Sequence, residues 1–180
     1  MTDEQLLSNA KQGSRPALEA LFDRYRDVMW SFFRRRVVDP ARAEELVQDV
    51  FVGVLQGAAR FEGRSTCRAY LFGIAFNVLK GERRRAGRRP TDPLEADPPG
   101  PSPNLDAGLW VRRALAQLDS GDREILMLRE YEQLRYDELA EVLRTPINTV
   151  RSRLFRARMA LRTALTRNVA DELKVSHEGR

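Results

Sequence analysis

The chain is poor in the side chains on which most metal and nucleophile chemistry depends. Its 180 residues hold one cysteine, Cys67, and one histidine, His177. A lone cysteine rules out a disulfide within the chain and fits a reducing, cytoplasmic setting. One Cys and one distant His give neither zinc-ligand spacing nor a nucleophile–base pair. No catalytic residue, metal site or cofactor is therefore expected, and Cys67 reads as an ordinary small residue. No apolar run approaches the length of a membrane span, so stable membrane insertion is not expected. The opening MTDEQLLSNAKQG is polar and acidic, which does not fit a secretory leader. There is no G-x-x-x-x-G-K phosphate loop. These absences speak against an enzyme.

Positive charge is abundant instead. Lysine and arginine number 31 against 26 acids, and the net charge of +5 favours a polyanionic partner. From Arg144 to Arg167 there are seven arginines and no acid. Val150, Leu154, Ala157, Leu161 and Leu165 recur there at helical spacing and predict one apolar face against a core. The opposite face carries Arg151, Ser152, Phe155, Arg156, Met159 and Arg162. Tyr136 to Leu143 predicts a short amphipathic helix just before it, with Leu139, Ala140 and Leu143 inward. Between them lies Arg144-Thr145-Pro146, where Thr145 can cap and Pro146 fits a first helical turn. Helix, tight turn and basic helix make a helix-turn-helix with the second helix as reader. A solvated basic surface, a calmodulin target or a membrane-surface helix are plainer readings of such a stretch. The preceding helix and turn favour DNA, and so does Phe155, whose ring on a charged face suits a base edge or thymine methyl.

Pro90–Ala107 holds six of the nine prolines, four acids and no base. It cannot form a continuous helix and reads as a flexible linker. The expected organisation is all-α: a helical domain over 1–87, an acidic Pro-rich linker over 88–107, a helix-turn-helix domain over 108–167 and a polar tail over 168–180. In the first domain, Thr2-x-x-Gln5 resembles a capping box. Ser14 starts a second helix, with Leu18, Leu21, Phe22, Tyr25, Met29, Phe32 and Phe33 as its stripe. Asp39-Pro40 starts a third, with Ala43, Leu46, Val47, Val50, Phe51, Val54 and Leu55 inward and Glu44, Glu45, Gln48 and Asp49 outward. A fourth runs from about Arg68, with Tyr70, Leu71, Ile74, Ala75 and Val78 inward. Lys80 to Arg89 carries six bases against Glu82 alone. Cations at a helix C-terminus suit its dipole, but six exceed that need, so phosphate contact by Arg83 and Arg84 is favoured. Two basic modules on one tether gain affinity by effective concentration.

The segments AEELVQDVFVGVL, RFEGRSTCRAYLFGIAFNVL and LDSGDREILMLREYEQLRYDELAEVLRTPINTVRSRLFRAR closely resemble bacterial extracytoplasmic-function (ECF) sigma factors of the sigma-70 family, from about Ser14 to Leu165. The resemblance implies a chain that binds core RNA polymerase and directs it to promoters without itself catalysing nucleotide addition. It implies contact with duplex and melted promoter DNA, and regulation by an anti-sigma factor. Glu44, Glu45, Gln48 and Asp49 match the segment that docks on the polymerase clamp; by themselves they read as a solvated face. The loop Arg60-Phe61-Glu62-Gly63-Arg64-Ser65-Thr66 matches the loop that captures an unstacked base of the minus-ten element, and Asn77 matches a residue at that pocket. Arg151, Ser152, Phe155 and Arg156 match positions facing bases of the minus-thirty-five element. Thr149 can hold a phosphate at the helix N-terminus. Arg153 and Arg158 read as phosphate or intramolecular contacts.

This chain departs from the family pattern at Tyr70, where tryptophan is usual, and at Gly73, Phe76 and Gly81. Phe76 is either a stacking wedge or core. Asn148 replaces a usual glycine, and the turn is expected to survive. Two rivals stand beside the sigma-factor reading. A helix-turn-helix regulator that is no polymerase subunit would usually carry a sensory α/β domain, for which Met1–Gly87 lacks alternating strands. A helical adaptor or an enzyme with a basic substrate site needs a convergent titratable cluster, and none is visible.

Overall fold

A computed structural model describes residues 1–57, 65–87 and 105–178. They form α1 (Asp3–Lys11), α2 (Arg15–Arg34), α3 (Pro40–Gly57), α4 (Cys67–Ala86), α5 (Leu105–Ala116), α6 (Ser120–Glu130), α7 (Tyr136–Leu143) and α8 (Ile147–Glu178). The described chain is all-helical, as expected. It divides into two compact units: α1 to α4 build the first, and α5, α6, the start of α7 and α8 build the second.

In the first unit the caps at Thr2 and Asp39 sit where the sequence puts them, Ser14 heads α2 without a side-chain cap bond, and Thr66 is a cap the sequence reading does not single out. Thr2 Oγ1 accepts from the Gln5 N–H, and Gln5 Oε1 accepts from the Thr2 N–H. Asp39 Oδ1 accepts from the Ala41 N–H, and Thr66 Oγ1 accepts from the Ala69 N–H at the head of α4. Each side-chain oxygen satisfies a donor that the first helical turn leaves without a partner. Gly13 takes φ +89° between α1 and α2, a left-handed conformation that glycine adopts without strain.

The core is aromatic at its centre. Phe32 and Phe33 of α2 are fully buried, and Phe72 of α4 meets Phe32 edge-on at 5.7 Å. Gly53 lets α3 and α4 approach closely, since a Cβ there would lie 2.8 Å from Ile74 Cγ2. At the other edge, Tyr25 and Arg24 of α2 both donate to the Asp3 carboxylate at 2.6 Å. The Tyr25 bond, with Arg24 beside it, holds the Asp3 carboxyl below its ordinary range, against the opposing effect of burial. Cys67 is fully buried, and burial together with Asp3 and Glu4 pushes its thiol up to about 12. It packs as the small core residue expected.

Three expectations about extent and burial change, and the alternative left open at Phe76 resolves to core. Leu55 was expected inward but is 55% exposed, because α3 has turned past its contact with the core by then. Phe76 is core, 7% exposed, and Phe72 and Leu79 join it on a helix buried on more than one side. In the second unit, α5 begins at Leu105, inside the segment read as linker. Pro103 is the last proline of that segment, and LDAGLWVRRALA is good helix sequence. The segment 168–178, read as a tail, continues α8 to Glu178. It has no proline or glycine before Gly179, and extending an existing helix costs little. Residues 88–104 of the expected linker lie outside the described residues.

The second unit packs α5 and α6 against α8 around Ala114, Ile125, Leu128, Leu139, Val150, Leu154 and Ala157. Arg123 of α6 donates to the carbonyls of Leu115, Ala116 and Leu118 at 2.8–3.0 Å, which satisfies the C-terminal end of α5.

Candidate nucleic-acid and polymerase interfaces

The turn between α7 and α8 is built on one left-handed residue. Arg144 has φ +51°. The Arg144 N–H donates to Glu141 O at 3.1 Å, and the Thr145 N–H donates to Ala140 O at 2.9 Å. This pair of bonds ends α7 as a Schellman motif, with arginine where glycine is commoner. Pro146 stands one place earlier than expected. Its carbonyl accepts from the Val150 N–H, so it flanks the first turn of α8, which opens at Ile147. The turn survives Asn148, whose Oδ1 accepts from Arg151 Nη1 at 3.2 Å.

α8 has the two faces the sequence predicts at its start. Val150, Leu154 and Ala157 are buried, while Leu161 and Leu165 are half-buried. Thr149, Arg151, Ser152, Phe155 and Arg156 are exposed, Phe155 by 65%. Ser152 Oγ donates to Thr149 O at 3.0 Å and keeps its lone pairs outward. From Arg151 to Arg156 the rise along the axis is about 7.5 Å, the span of roughly two base steps. Arg153 and Arg158 differ from that group. Arg153 is half-buried, with Nη2 only 2.8 Å from where a Cβ on Gly121 would stand. Arg158 pairs with Glu130 at 2.8 Å.

In the first unit the minus-ten set is only partly described. Arg60, Phe61 and Arg64 lie outside the described residues. Ser65 Oγ donates to Thr66 O, and Thr66 caps α4, so both side chains have local partners. Asn77 is exposed on α4. It lies about 16 Å along the helix axis from Thr66, so those two residues are not brought together. Tyr70, Gly73, Asn77 and Arg84 share one face by their spacing, whereas Arg83 is turned away from it by about 120°. Both arginines are exposed in the last turn. Glu82, the acid among these bases, is taken up by α3: Arg42 Nε and Nη2 donate to its two oxygens at 3.0 and 2.6 Å. That pairing holds the Glu82 carboxyl below its ordinary range.

Glu44, Glu45, Gln48 and Asp49 are all exposed on the outward side of α3. Glu45 also accepts from Arg42 Nη1. Beside them is a groove of about 420 Å³ between α2 and α3, lined by Phe22, Arg26, Asp27, Trp30, Glu44, Val47 and Gln48. Trp30, 38% exposed at this groove, was not found from the sequence. Its signal was present, since a tryptophan next to Met29 falls off the inward stripe of α2. Among the described residues no helix is long and apolar enough to cross a membrane.

The family model described as Sigma-70 region 2 matches residues 21–89, and that described as Sigma-70, region 4 matches residues 108–161. The chain is 31% identical to the RNA polymerase sigma-H factor of Pseudomonas aeruginosa, over 91% of this chain and 93% of that protein. It is 30% identical to the ECF RNA polymerase sigma-E factor of Haemophilus influenzae, over 88% and 92%. Among solved structures it is similar to CnrH in complex with the cytosolic domain of CnrY, with a TM-score of 0.70 and 26% identity over 91% of this chain and 97% of that one. It is also similar to the sigma factor RpoE in complex with the anti-sigma factor NepR from Bartonella quintana, with a TM-score of 0.67 and 25% identity over 82% and 96%. A regulator that merely shares the helix-turn-helix would not match region 2 as well. With both regions present in order and the likeness running along nearly the whole chain, the protein belongs to the ECF sigma factors of the sigma-70 family, which direct RNA polymerase to promoters.

Proposed function

We propose that this sigma factor grips core RNA polymerase through the outward side of α3 and reads one promoter element with each of its two units. Residues 1–87 serve the minus-ten element, residues 105–167 serve the minus-thirty-five element, and 88–104 tether them. The observation that carries this reading is the start of α8, where Arg151, Ser152, Phe155 and Arg156 are exposed together on a helix buried behind them. Arginine forks onto guanine, Phe155 meets a thymine methyl and Ser152 bonds a base or phosphate. Thr149 and the first-turn N–H groups of α8 hold a phosphate.

In the first unit the 60–66 loop captures an unstacked base and Asn77 bonds a base edge. Arg83 and Arg84 hold phosphates. Glu44, Glu45, Gln48 and Asp49 meet a basic surface of the polymerase. An anti-sigma factor holds the chain inactive, as the complexes of CnrH with CnrY and of RpoE with NepR suggest. The chain works in the cytoplasm and catalyses no reaction of its own.

The test is co-purification with core polymerase. Glu45→Lys with Asp49→Lys should abolish it while leaving binding to isolated DNA intact; undiminished co-purification contradicts the docking assignment. Arg156→Ala should relax selectivity at one position of the upstream element, at a cost of about 1–3 kcal/mol. Equal loss on every sequence would make Arg156 a phosphate contact.

A further inference from the structure

The arginines of α8 fall into two groups. Arg156 and Arg162 are exposed, and neither guanidinium has a partner among the described residues. Among the described residues Arg151 bonds only Asn148, of its own first turn. Arg158 turns back into the unit. Its Nη2 donates to Glu130 Oε1 at 2.8 Å, and Tyr136 lies close to the same guanidinium. Glu130 ends α6 and Tyr136 opens α7. One side chain of α8 is thus paired with the end of α6, beside the start of α7.

Arg129 of α6 also meets Tyr136. Arg129 stacks over its ring at 5.4 Å and donates to Leu134 O at 2.8 Å, across a connection in which Gln133 takes φ +53°. At the far end of α6, Arg153 lies against Gly121.

We infer that Arg158, with Arg153 as its counterpart, is a positioning residue. It braces α8 against α6 and α7 and so sets the pitch at which Arg151, Ser152, Phe155 and Arg156 enter the major groove. This rests on the reading of α8 as the minus-thirty-five helix. The electrostatics favour a brace over a phosphate contact. A carboxylate at a helix C-terminus opposes the helix dipole, and Glu130 sits there. Were Arg158 to leave for a phosphate, it would strand that carboxylate near the DNA-facing helix, where it would repel the backbone. Paired, the two charges cancel and the angle between the helices is fixed.

Binding of the full chain is measured by fluorescence anisotropy across a salt series, on a duplex that the wild-type chain selects from a randomised pool and on its scrambled counterpart. For Arg158→Gln, affinity for the selected duplex should fall about threefold to fivefold, the scale of a half-exposed ion pair. Affinity for the scrambled duplex and the salt slope should not change. Arg156→Gln should instead relax selectivity at one position of the selected duplex. Glu130→Gln separates the cases most sharply. It removes a negative charge near DNA, so simple electrostatics predicts tighter binding, whereas a brace predicts weaker binding to the selected duplex alone. The double swap Glu130→Arg with Arg158→Glu restores the pair in reverse and should recover the selected-duplex affinity. The inference is overturned if Arg158→Gln weakens both duplexes alike and lowers the slope by about 1, or if Glu130→Gln binds as well as or better than wild type. A wild-type chain that selects no sequence would instead defeat the minus-thirty-five reading itself.

Discussion

Replacing Arg42 by alanine removes the link between the start of α3 and the end of α4. Two charge-assisted bonds are lost, at 3.0 and 2.6 Å, from side chains 29% and 18% exposed. A fully exposed ion pair contributes about 0.2–1 kcal/mol. Breaking a fully buried one costs about 3–5 kcal/mol, because the partner charge is stranded. Glu82 lies between these limits and keeps Arg85 at 3.8 Å as a weak substitute. The expected loss is about 1.5–3 kcal/mol for the first unit at neutral pH. Arg42 holds the Glu82 carboxyl below its ordinary value of 4.5. A folded-state value below the unfolded one means the stabilisation is complete above 4.5 and disappears as pH falls through the lower folded value. The difference between variant and wild type should therefore shrink in acid. Urea unfolding measures it in a Trp110→Phe background, where the fluorescence of Trp30 reports on the first unit alone; a two-unit chain need not unfold in one step. A cycle of Arg42→Ala, Glu82→Gln and the double variant isolates the pair. Coupling below about 0.5 kcal/mol at pH 7, or coupling undiminished at pH 3, would refute the reasoning.

Other consequences are as direct. Gly53→Ala puts a Cβ at 2.8 Å from Ile74 Cγ2. Overpacking of about 1–3 kcal/mol should outweigh the helix-propensity gain of about 1 kcal/mol, and Ile74→Ala in the same chain should reverse the sign; a stabilising Gly53→Ala alone contradicts this. Cys67 should not react with a thiol reagent at pH 8 in the native chain and should react at once in urea, because it is fully buried and its thiol is pushed up to about 12. Fast native labelling would contradict that. Trp30→Ala should weaken binding to core polymerase about tenfold without changing binding to isolated DNA, since a tryptophan in a groove beside Glu44 and Gln48 is placed as an interface anchor. Unchanged affinity would place the docking surface elsewhere.

The sequence was readable wherever a single physical rule acted alone. The caps at Thr2 and Asp39 each follow from a short polar side chain ahead of an apolar run. The two faces at the start of α8 follow from one period. Reading failed where two rules overlap. α4 is buried against more than one neighbour, so Phe72, Phe76 and Leu79 fall outside any one stripe. Leu55 fits the period of α3, but nothing in a period says where the neighbouring helices end. The extension of α8 past Arg167 carries no strong apolar stripe and is helical because nothing stops it. Among the candidate site residues, the exposure of Glu44, Glu45, Gln48 and Asp49 on α3 and of Thr149, Arg151, Ser152, Phe155 and Arg156 on α8 was legible. The resemblance already sets Arg153 and Arg158 apart as phosphate or intramolecular contacts; which of the two was not legible, because Glu130 and Gly121 are far from them in sequence.

Run-off transcription with core polymerase from a randomised promoter library tests the central claim most directly. Wild-type chain should start transcripts at discrete positions, from templates that share two short motifs at a fixed spacing; Glu45→Lys with Asp49→Lys should abolish these starts, and Arg156→Ala should lose the preference at one upstream position. Starts scattered without a shared motif, or core polymerase behaving the same with and without the chain, would contradict it.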